Sequence, residues 1–267
     1  MENSLNITEI FQLKKIASDA GDEILRIYGQ EFMVDIKEDK SPLTEADRAS
    51  NIVIQKAISV LFPDIPILSE ENRQQDYSER KDWSKFWLID PLDGTKEFIS
   101  RNGEFTVNIA LIENGYPVFG MVYIPVTGRG YYGVADMGAF SYLRDGADTA
   151  IYASNHKPED HINVVGSRSH MDDKTLEYVE KLKPSFAGIT LVSKGSSLKF
   201  CMVAEGYAAC YPRFGPTMEW DTGAGQAIAE AAGCRVMRAD THKRMSYNKE
   251  NLLNPSFIVA APDIPVY

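Results

Sequence analysis

The stretch WLIDPLDGTKEF, residues 87–98, joins an apolar run to two acids and to the start of a predicted helix. The apolar side chains of residues 86–89 predict a strand with Asp90 at its exit. A proline and a leucine separate Asp90 from Asp93, and the segment TKEF then predicts a turn of helix. Whether the two acids act together depends on the elements around them.

The segments on either side predict an α+β first half. A second helix follows Thr44 as its N-cap, with Asp47 at the third helical position. PILSEE predicts a strand that ends at Glu70 and Glu71, and FTVNIALI, the turn ENG and PVFGMVYIP predict a hairpin that GYYGVAD and GAFSYL continue. The first helix is predicted from apolar residues at three- and four-residue steps, which are Ile10, Leu13, Ile16, Ala17, Ala20, Ile24 and Ile27.

From about residue 155 strands and helices alternate, which indicates a layered α/β sheet covered by helices. INVVGS, ITLVSK, YAACYP and CRVMRA predict the strands, and DDKTLEYVEKL, SSLKFCMVAE and TGAGQAIAEAAG predict the helices. We therefore expect two domains, residues 1–154 and residues 155–267. The first carries most of the acids, and ligand sites in such folds tend to lie at strand exits.

The overall composition is that of an ordinary folded protein, with 44% apolar and 25% charged residues among 267. The formal net charge of −10 argues against a nucleic-acid polymer or an anionic membrane as partner. No signal peptide or apolar run of about 18 residues is found, so a cytoplasmic location is expected, either free or at the inner face of the membrane. Three cysteines without a C-x-x-C pair fit a reducing compartment. Monomer and homodimer both remain open.

The acids at the strand exits have structural alternatives when each is taken alone. Asp221, which precedes a Gly/Ala-rich helix, could cap that helix; Asp47 could complete a capping box with Thr44; and Asp93 could belong to a turn with Gly94. Taken together, clustered carboxylates would repel one another without a cation. Hard oxygen ligands, which here would be the carboxylates and the backbone carbonyl of Leu92, suit Mg²⁺.

The residues directly after the acids indicate phosphate chemistry. Free N–H groups of Gly94 and Thr95 at a helix start would cradle a phosphate. No cysteine has an arginine six residues later, and the chain contains neither a G-x-x-x-x-G-K-[ST] loop nor an H-E-x-x-H pair. These absences leave metal-assisted hydrolysis as the favoured chemistry.

Basic and hydroxyl residues in the second half could bind a second phosphate. They cluster at a predicted helix start and after the next strand, and they are Lys194, Ser196, Ser197, Lys199 and Arg213. The alternative is that they are solvated surface groups. A local basic pocket on an acidic protein would attract a compact polyanion rather than a polymer.

Glu70-Glu71, DPLDGT (residues 90–95) and WDTGAG (residues 220–225) resemble the signature of the inositol monophosphatase superfamily, whose members are Mg²⁺-dependent, lithium-sensitive phosphatases. The segments GSRSH and KGSSLKFCMVAEGYAACYPRFGPTMEW resemble its CysQ-type branch, the 3′(2′),5′-bisphosphate nucleotidases. The likeness spans nearly the whole chain after the first helix. It implies an αβαβα sandwich fold.

The resemblance also implies which residues act, and that two or three Mg²⁺ ions are bound. One ion would be held by Glu70, Asp90 and the Leu92 carbonyl, a second would lie between Asp90, Asp93 and Asp221, and a third, weaker ion would lie near Glu70. Thr95, with Asp47 or Glu70, would orient and deprotonate the attacking water. The substrate would contact Gly94, Thr95 and Asp221 as well as a nucleotide site formed by Ser167, His170, Ser196, Lys199 and Arg213.

The expected activity is removal of the 3′-phosphate of adenosine 3′,5′-bisphosphate to give AMP and phosphate, with its 5′-phosphosulfate relative as a further substrate, in sulfate assimilation. One alternative is an inositol monophosphatase or a fructose-1,6-bisphosphatase-type sugar phosphatase. Another, of a different class, is a non-catalytic protein that binds metal or phosphate.

Overall fold

A computed structural model describes residues 5–36, 42–72, 75–167 and 172–267. The helices are α1 (Ile7–Tyr28), α2 (Glu45–Leu61), α3 (Tyr77–Arg80), α4 (Thr95–Ile99), α5 (Asp173–Leu182), α6 (Leu198–Ala204) and α7 (Gly223–Ala231). The strands of the first half are β1 (Val34–Ile36), β2 (Pro42–Thr44), β3 (Ile67–Ser69), β4 (Lys85–Asp93), β5 (Thr106–Glu113), β6 (Tyr116–Ile124), β7 (Arg129–Val134), β8 (Gly138–Leu143) and β9 (Thr149–Ile151). Those of the second half are β10 (His161–Ser167), β11 (Gly188–Lys194), β12 (Cys210–Arg213), β13 (Arg235–Arg238) and β14 (Phe257–Ala260).

The elements stack in five layers separated by buried apolar clusters. Helices α1 and α2 pack on one face of a seven-stranded sheet, β3 to β9, and α6 and α7 cover its other face. Those two helices also pack on a five-stranded sheet of order β11-β10-β12-β14-β13, whose outer face is covered by α5. The predicted αβαβα layering is therefore confirmed.

The two helices of the first layer agree with their sequence predictions, which gave the apolar face of α1 and the first residues of α2. Asn6 and Glu9 form a capping box at the start of α1, and all seven predicted apolar positions of α1 are buried. Thr44 and Asp47 form a second capping box at the start of α2. The hairpin between β5 and β6 turns at Asn114 and Gly115, whose φ values of 51° and 80° are those of a two-residue hairpin turn.

Strand β4 differs from its prediction in a way that shapes the site. It does not end at Asp90 but continues to Asp93, because Asp90 pairs with Asn108 and Asp93 pairs with Thr106 on β5. Two residues of β4 thus oppose one residue of β5, which is the geometry of a β-bulge. Residues three apart on a regular strand face opposite sides, whereas this bulge turns both acids toward the layer of α6 and α7.

The second sheet contains a strand that the alternating pattern does not predict. β14 lies between β12 and β13 and runs antiparallel to both, while β10 and β11 are parallel neighbours. The short strands β1, β2 and β9 were also not predicted. The first large sheet ends at Ile151 and the second begins at His161, and the division into two domains stays a prediction. In the described ranges, no helix combines the length and the apolar character needed to cross a bilayer.

Candidate active site

Four carboxylates meet where the bulge of β4 faces the second half of the chain. Burial raises the pKa of Asp90 well above its usual value, and the negative charges of Glu70, Asp93 and Asp221 raise it further. The pKa of Asp221 is raised by burial first and then by Asp93 and Glu70. These mutual effects place the four predicted metal-binding acids beside one another.

Three of these carboxylates are oriented by N–H or O–H donors on one oxygen. Asp90 Oδ1 accepts a hydrogen bond from the backbone N–H of Leu92 at 3.1 Å. Asp221 Oδ2 accepts from the Met218 N–H at 2.8 Å, and Asp93 Oδ2 accepts from both the N–H and the hydroxyl of Ser197 at 2.6 Å. Asp221 does not cap α7, because that helix begins at Gly223 and its N-cap position is residue 222. Such donors fix the side chains of metal-binding carboxylates in many proteins.

The donor chemistry of this group fits a hard divalent cation. Its ligating atoms are carboxylate and carbonyl oxygens, which suit Mg²⁺. Among the described residues, neither lysine nor arginine forms an ion pair with Asp90, Asp93 or Asp221, and the opposing charge of Arg213 acts on Asp221 from beyond ion-pair distance. No ready-made cluster of three or more His, Cys, Asp or Glu ligands is present in the same ranges. The ligand assignments therefore stay a proposal.

The predicted water-activating pair is in contact. The Thr95 hydroxyl donates to Asp47 Oδ1 at 3.2 Å and lies 3.5 Å from the Leu92 carbonyl. Asp47 Oδ2 accepts from the N–H and the hydroxyl of Thr44, each at 2.7 Å. Asp47 therefore forms the capping box that was its structural interpretation, and it also contacts Thr95. Gly94 precedes α4 with φ of 93°, a conformation that favours glycine.

Next to the acids lies a cavity of about 150 Å³ with basic and hydroxyl groups in its wall. Ser196 enters it from a left-handed backbone conformation, φ 46°. Within the described part of the chain, two buried polar atoms of this wall have no hydrogen-bond partner, Ser196 Oγ and Arg213 Nε. Unpaired buried donors of this kind suit an anionic ligand.

Lys199 is buried against the same cavity. Its ammonium donates to the Ser196 carbonyl and lies 5.3 Å from the centre of the Tyr211 ring. Burial lowers the pKa of Lys199 to about 8, although the charge of Asp93 opposes the shift. The predicted residues Ser196, Lys199 and Arg213 are thus brought together.

Two residues predicted to bind the second phosphate have other partners. Lys194 pairs with Glu104 at 3.2 Å, and Ser197 binds Asp93. His170 lies outside the described residues, and the side chain of Ser167, at the end of β10, is likewise outside what the structure describes.

Other residues of the site were not predicted. Asn108 donates to Ser197 Oγ at 2.8 Å and to Asp93 Oδ2 at 3.3 Å. Glu97 lines the cavity, and its pKa is raised by burial first. A polar residue inside the apolar run of β5 was the available signal for Asn108, whereas nothing in the sequence distinguished Glu97 from a solvated helix residue.

Comparison with known proteins places this geometry in a family. The inositol monophosphatase family model matches residues 6–263. The 3′(2′),5′-bisphosphate nucleotidase CysQ of Salmonella typhimurium is 47% identical over 251 residues, covering 93% of this chain and 98% of that protein. The crystal structure of CysQ from Bacteroides thetaiotaomicron is 44% identical with a TM-score of 0.81, covering 95% of this chain and 97% of the other.

A more distant structure shares the fold. The Thermotoga maritima IMPase is 23% identical with a TM-score of 0.77 and covers 95% of this chain and 92% of its own. The match over residues 6–263 and the high-coverage relatives at 44–47% identity establish that the chain belongs to the inositol monophosphatase family.

Proposed function

We propose that this protein is a Mg²⁺-dependent phosphatase that removes the 3′-phosphate of adenosine 3′,5′-bisphosphate to give AMP and phosphate. The observation that carries the proposal is one cavity wall shared by acids and bases: Asp93 and Asp221 line it together with Lys199 and Arg213. One phosphate would lie at the acids with their cations, and the other at the bases. The nucleotidase name carried by relatives at 45–47% identity supports this substrate.

The proposed metal ligands are the carboxylate and carbonyl oxygens beside the bulge of β4. Glu70, Asp90 and the Leu92 carbonyl would hold one Mg²⁺, and Asp90, Asp93 and Asp221 a second, with a third, weaker ion near Glu70. When bound, Mg²⁺ would lower the pKa of the water that it binds and neutralise the negative charge that develops on the departing oxygen.

The chain's own residues then orient the nucleophile. Because the Thr95 hydroxyl donates a hydrogen bond to Asp47, the lone pairs of the Thr95 oxygen remain available to accept a hydrogen bond from the attacking water. Asp47 is buried and held by Thr44, so it can receive a proton relayed through Thr95. Gly94 and Thr95 would contact the transferred phosphate, and Asp221 the sugar side of the substrate.

The specificity of the proposed enzyme resides in the basic wall. Ser196, Lys199 and Arg213 would bind the 5′-phosphate, and Ser167 and His170 the nucleoside. The 5′-phosphosulfate relative offers an anion at the same place and is proposed as a second substrate. An inositol monophosphatase, whose substrate carries a single phosphate, would have no use for this second anion site.

A substrate panel tests the proposal. Phosphate release is measured from adenosine 3′,5′-bisphosphate, inositol 1-phosphate and fructose 1,6-bisphosphate, with Mg²⁺ and with EDTA. We expect the nucleotide to be hydrolysed fastest and EDTA to abolish turnover. Faster turnover of either sugar phosphate would contradict the nucleotidase, and no turnover of any substrate would favour a binding protein.

Two substitutions sharpen the result. Lys199→Ala is expected to raise KM for the nucleotide by about 10- to 100-fold, because a buried charged hydrogen bond of about 1.5–3 kcal/mol is lost, while inositol 1-phosphate turnover changes little. Lys183→Ala, which removes a cation paired with Glu180 at the surface, is the matched control. Equal losses on both substrates in the Lys199 variant would show that Lys199 acts in folding rather than in specificity.

A further inference from the structure

Ser197 joins three parts of the site through a single hydroxyl group. Its Oγ lies 2.6 Å from Asp93 Oδ2, 2.9 Å from the Asp221 carbonyl oxygen and 2.8 Å from Asn108 Nδ2. The side chain is 2% exposed. Asp93 and Asn108 belong to the first large sheet, whereas Ser197 itself precedes α6, so the bonds of its hydroxyl to Asp93 and Asn108 bridge the two halves of the chain.

Proton counting fixes the role of this hydroxyl. A serine hydroxyl has one proton to donate and two lone pairs that accept. The Asn108 amide donates into Oγ, and the proton of Oγ goes to the charged oxygen of Asp93, the shorter contact. With the Ser197 N–H added, Asp93 Oδ2 is held by several donors. Within the described ranges Asp93 Oδ1 has no hydrogen-bond partner, which leaves it available to a cation.

The same residue adjoins the proposed phosphate site. Ser196, whose Oγ is unpartnered, precedes Ser197 directly, and the Lys199 ammonium donates to the Ser196 carbonyl. The segment is closely packed at its start, because a Cβ on Gly195 would lie 2.7 Å from Glu97 Cγ and the Gly195 N–H donates to Glu104 Oε2 at 2.8 Å. A ligand that fixes Ser196 therefore also restrains the next residue, whose N–H and O–H orient Asp93.

We propose that Ser197 is a positioning residue that couples the two ligand sites: occupation of Ser196 and Lys199 by the nucleotide's 5′-phosphate raises the affinity for Mg²⁺ at Asp93, and the reverse. The inference rests on the proposed function for its ligands. Linkage requires that the two effects be equal in free energy. The second phosphate thus prepares the cation site as well as anchoring the substrate.

Direct attraction between cation and anion would also produce positive coupling, so charge must be held constant in the test. Ser197→Ala removes the hydroxyl without changing any charge and retains the backbone N–H bond to Asp93. Asn108→Ala removes the donor that orients the hydroxyl. Ser197→Thr restores a hydroxyl, and Ser193→Ala, an exposed serine at the end of β11, is the matched control.

Isothermal titration calorimetry measures the coupling without turnover, using AMP and Mg²⁺ as probes. AMP is titrated with and without Mg²⁺, and Mg²⁺ with and without AMP. In the unmodified protein and in Ser193→Ala we expect each ligand to tighten the other on the order of tenfold. In Ser197→Ala and Asn108→Ala the factor should fall to about threefold or less, and Ser197→Thr should recover it.

The outcomes separate this inference from the function on which it rests. If AMP and Mg²⁺ both bind but the Ser197→Ala factor equals that of the unmodified protein, the coupling runs through charge alone and the role of Ser197 is overturned. If Ser197→Ala weakens both ligands separately while their mutual factor is unchanged, Ser197 is structural only. If AMP does not bind at all, the nucleotide site and the coupling fail together.

Discussion

The Thr95 hydroxyl donates a hydrogen bond to Asp47 Oδ1 at 3.2 Å, and so connects the first turn of α4 to the first turn of α2. The second oxygen of Asp47 accepts from Thr44, which caps α2. One carboxylate thereby stabilises a helix start and orients the threonine beside the acids. A residue that looks like an ordinary cap in the sequence is, in the folded chain, part of the site.

Replacement of Thr95 by alanine is expected to lower kcat by about 10²- to 10⁴-fold, since the hydroxyl that orients and relays the proton is lost. KM for the nucleotide should change only a few-fold. Thr95→Ser retains the hydroxyl and serves as the control. A kcat within about threefold of the unmodified enzyme for Thr95→Ala would remove Thr95 from the proposed mechanism; circular dichroism melting checks that the fold is intact.

Replacement of Asp90 by asparagine should stabilise the metal-free protein and abolish its stabilisation by Mg²⁺. The pKa of Asp90 is raised above 3.8 by burial and by neighbouring acids, so the folded chain holds a proton that the unfolded chain releases. The protonated Asp90 therefore contributes fully to the free energy of unfolding below pH 3.8. This contribution is lost as the pH rises through the pKa of Asp90 in the folded protein.

Thermal melts in EDTA at several pH values check this prediction. The Tm of Asp90→Asn should exceed that of the unmodified protein by about 2–4 °C near neutral pH, and the difference should shrink toward about pH 4. Added Mg²⁺ should reverse the order. A lower Tm for Asp90→Asn in EDTA would mean that Asp90 is stabilised by its surroundings rather than strained by them.

The nucleotide kcat/KM should fall as the pH rises above about 8, because the pKa of Lys199 is lowered to about 8 by burial and its ammonium is then lost from the free enzyme. Lys199→Arg keeps its charge throughout this range. Dividing the kcat/KM profile of the unmodified enzyme by that of Lys199→Arg separates the ionisation of Lys199 from those of other groups. Parallel profiles for lysine and arginine would contradict the assignment.

Replacement of Glu97 by glutamine should tighten binding of the polyanionic substrate. Its carboxylate is half-buried in the cavity wall near Lys199 and Asp93, where it opposes an incoming phosphate. We expect KM to fall by up to about fivefold, the scale of about 1 kcal/mol for partly solvated charges, with kcat little changed. Glu177→Gln, on the exposed side of α5, controls for net charge; a rise in KM for Glu97→Gln would instead indicate that Glu97 binds the substrate.

Local patterns were sufficient where local physics decides the structure. The apolar spacing of α1, the capping box of Thr44 and Asp47, and the turn at Asn114 and Gly115 all depend on residues within a few positions of one another. Such features follow from helix periodicity, unpaired N–H groups and allowed backbone angles. The family motifs added the identity of the acids but not their arrangement.

Features that depend on pairing across the chain escaped prediction. The bulge in β4 is defined by its register against β5, and β14 acquires its place only between β12 and β13. The partner of Ser197 is Asp93, 104 residues away, rather than a phosphate. A single sequence carries no direct record of such registers.

The amino-acid sequence by itself determined most of the longer helices and strands, the oxygen-rich set of acids and the basic segment near residue 199, because each of these depends on neighbouring residues. The tertiary structure alone decided that Asp90 and Asp93 face the same side. It also decided that Ser197 holds Asp93 and that acids and bases share one cavity. The physical reason is that a one-residue bulge reverses the direction of every side chain after it, and its presence depends on the partner strand.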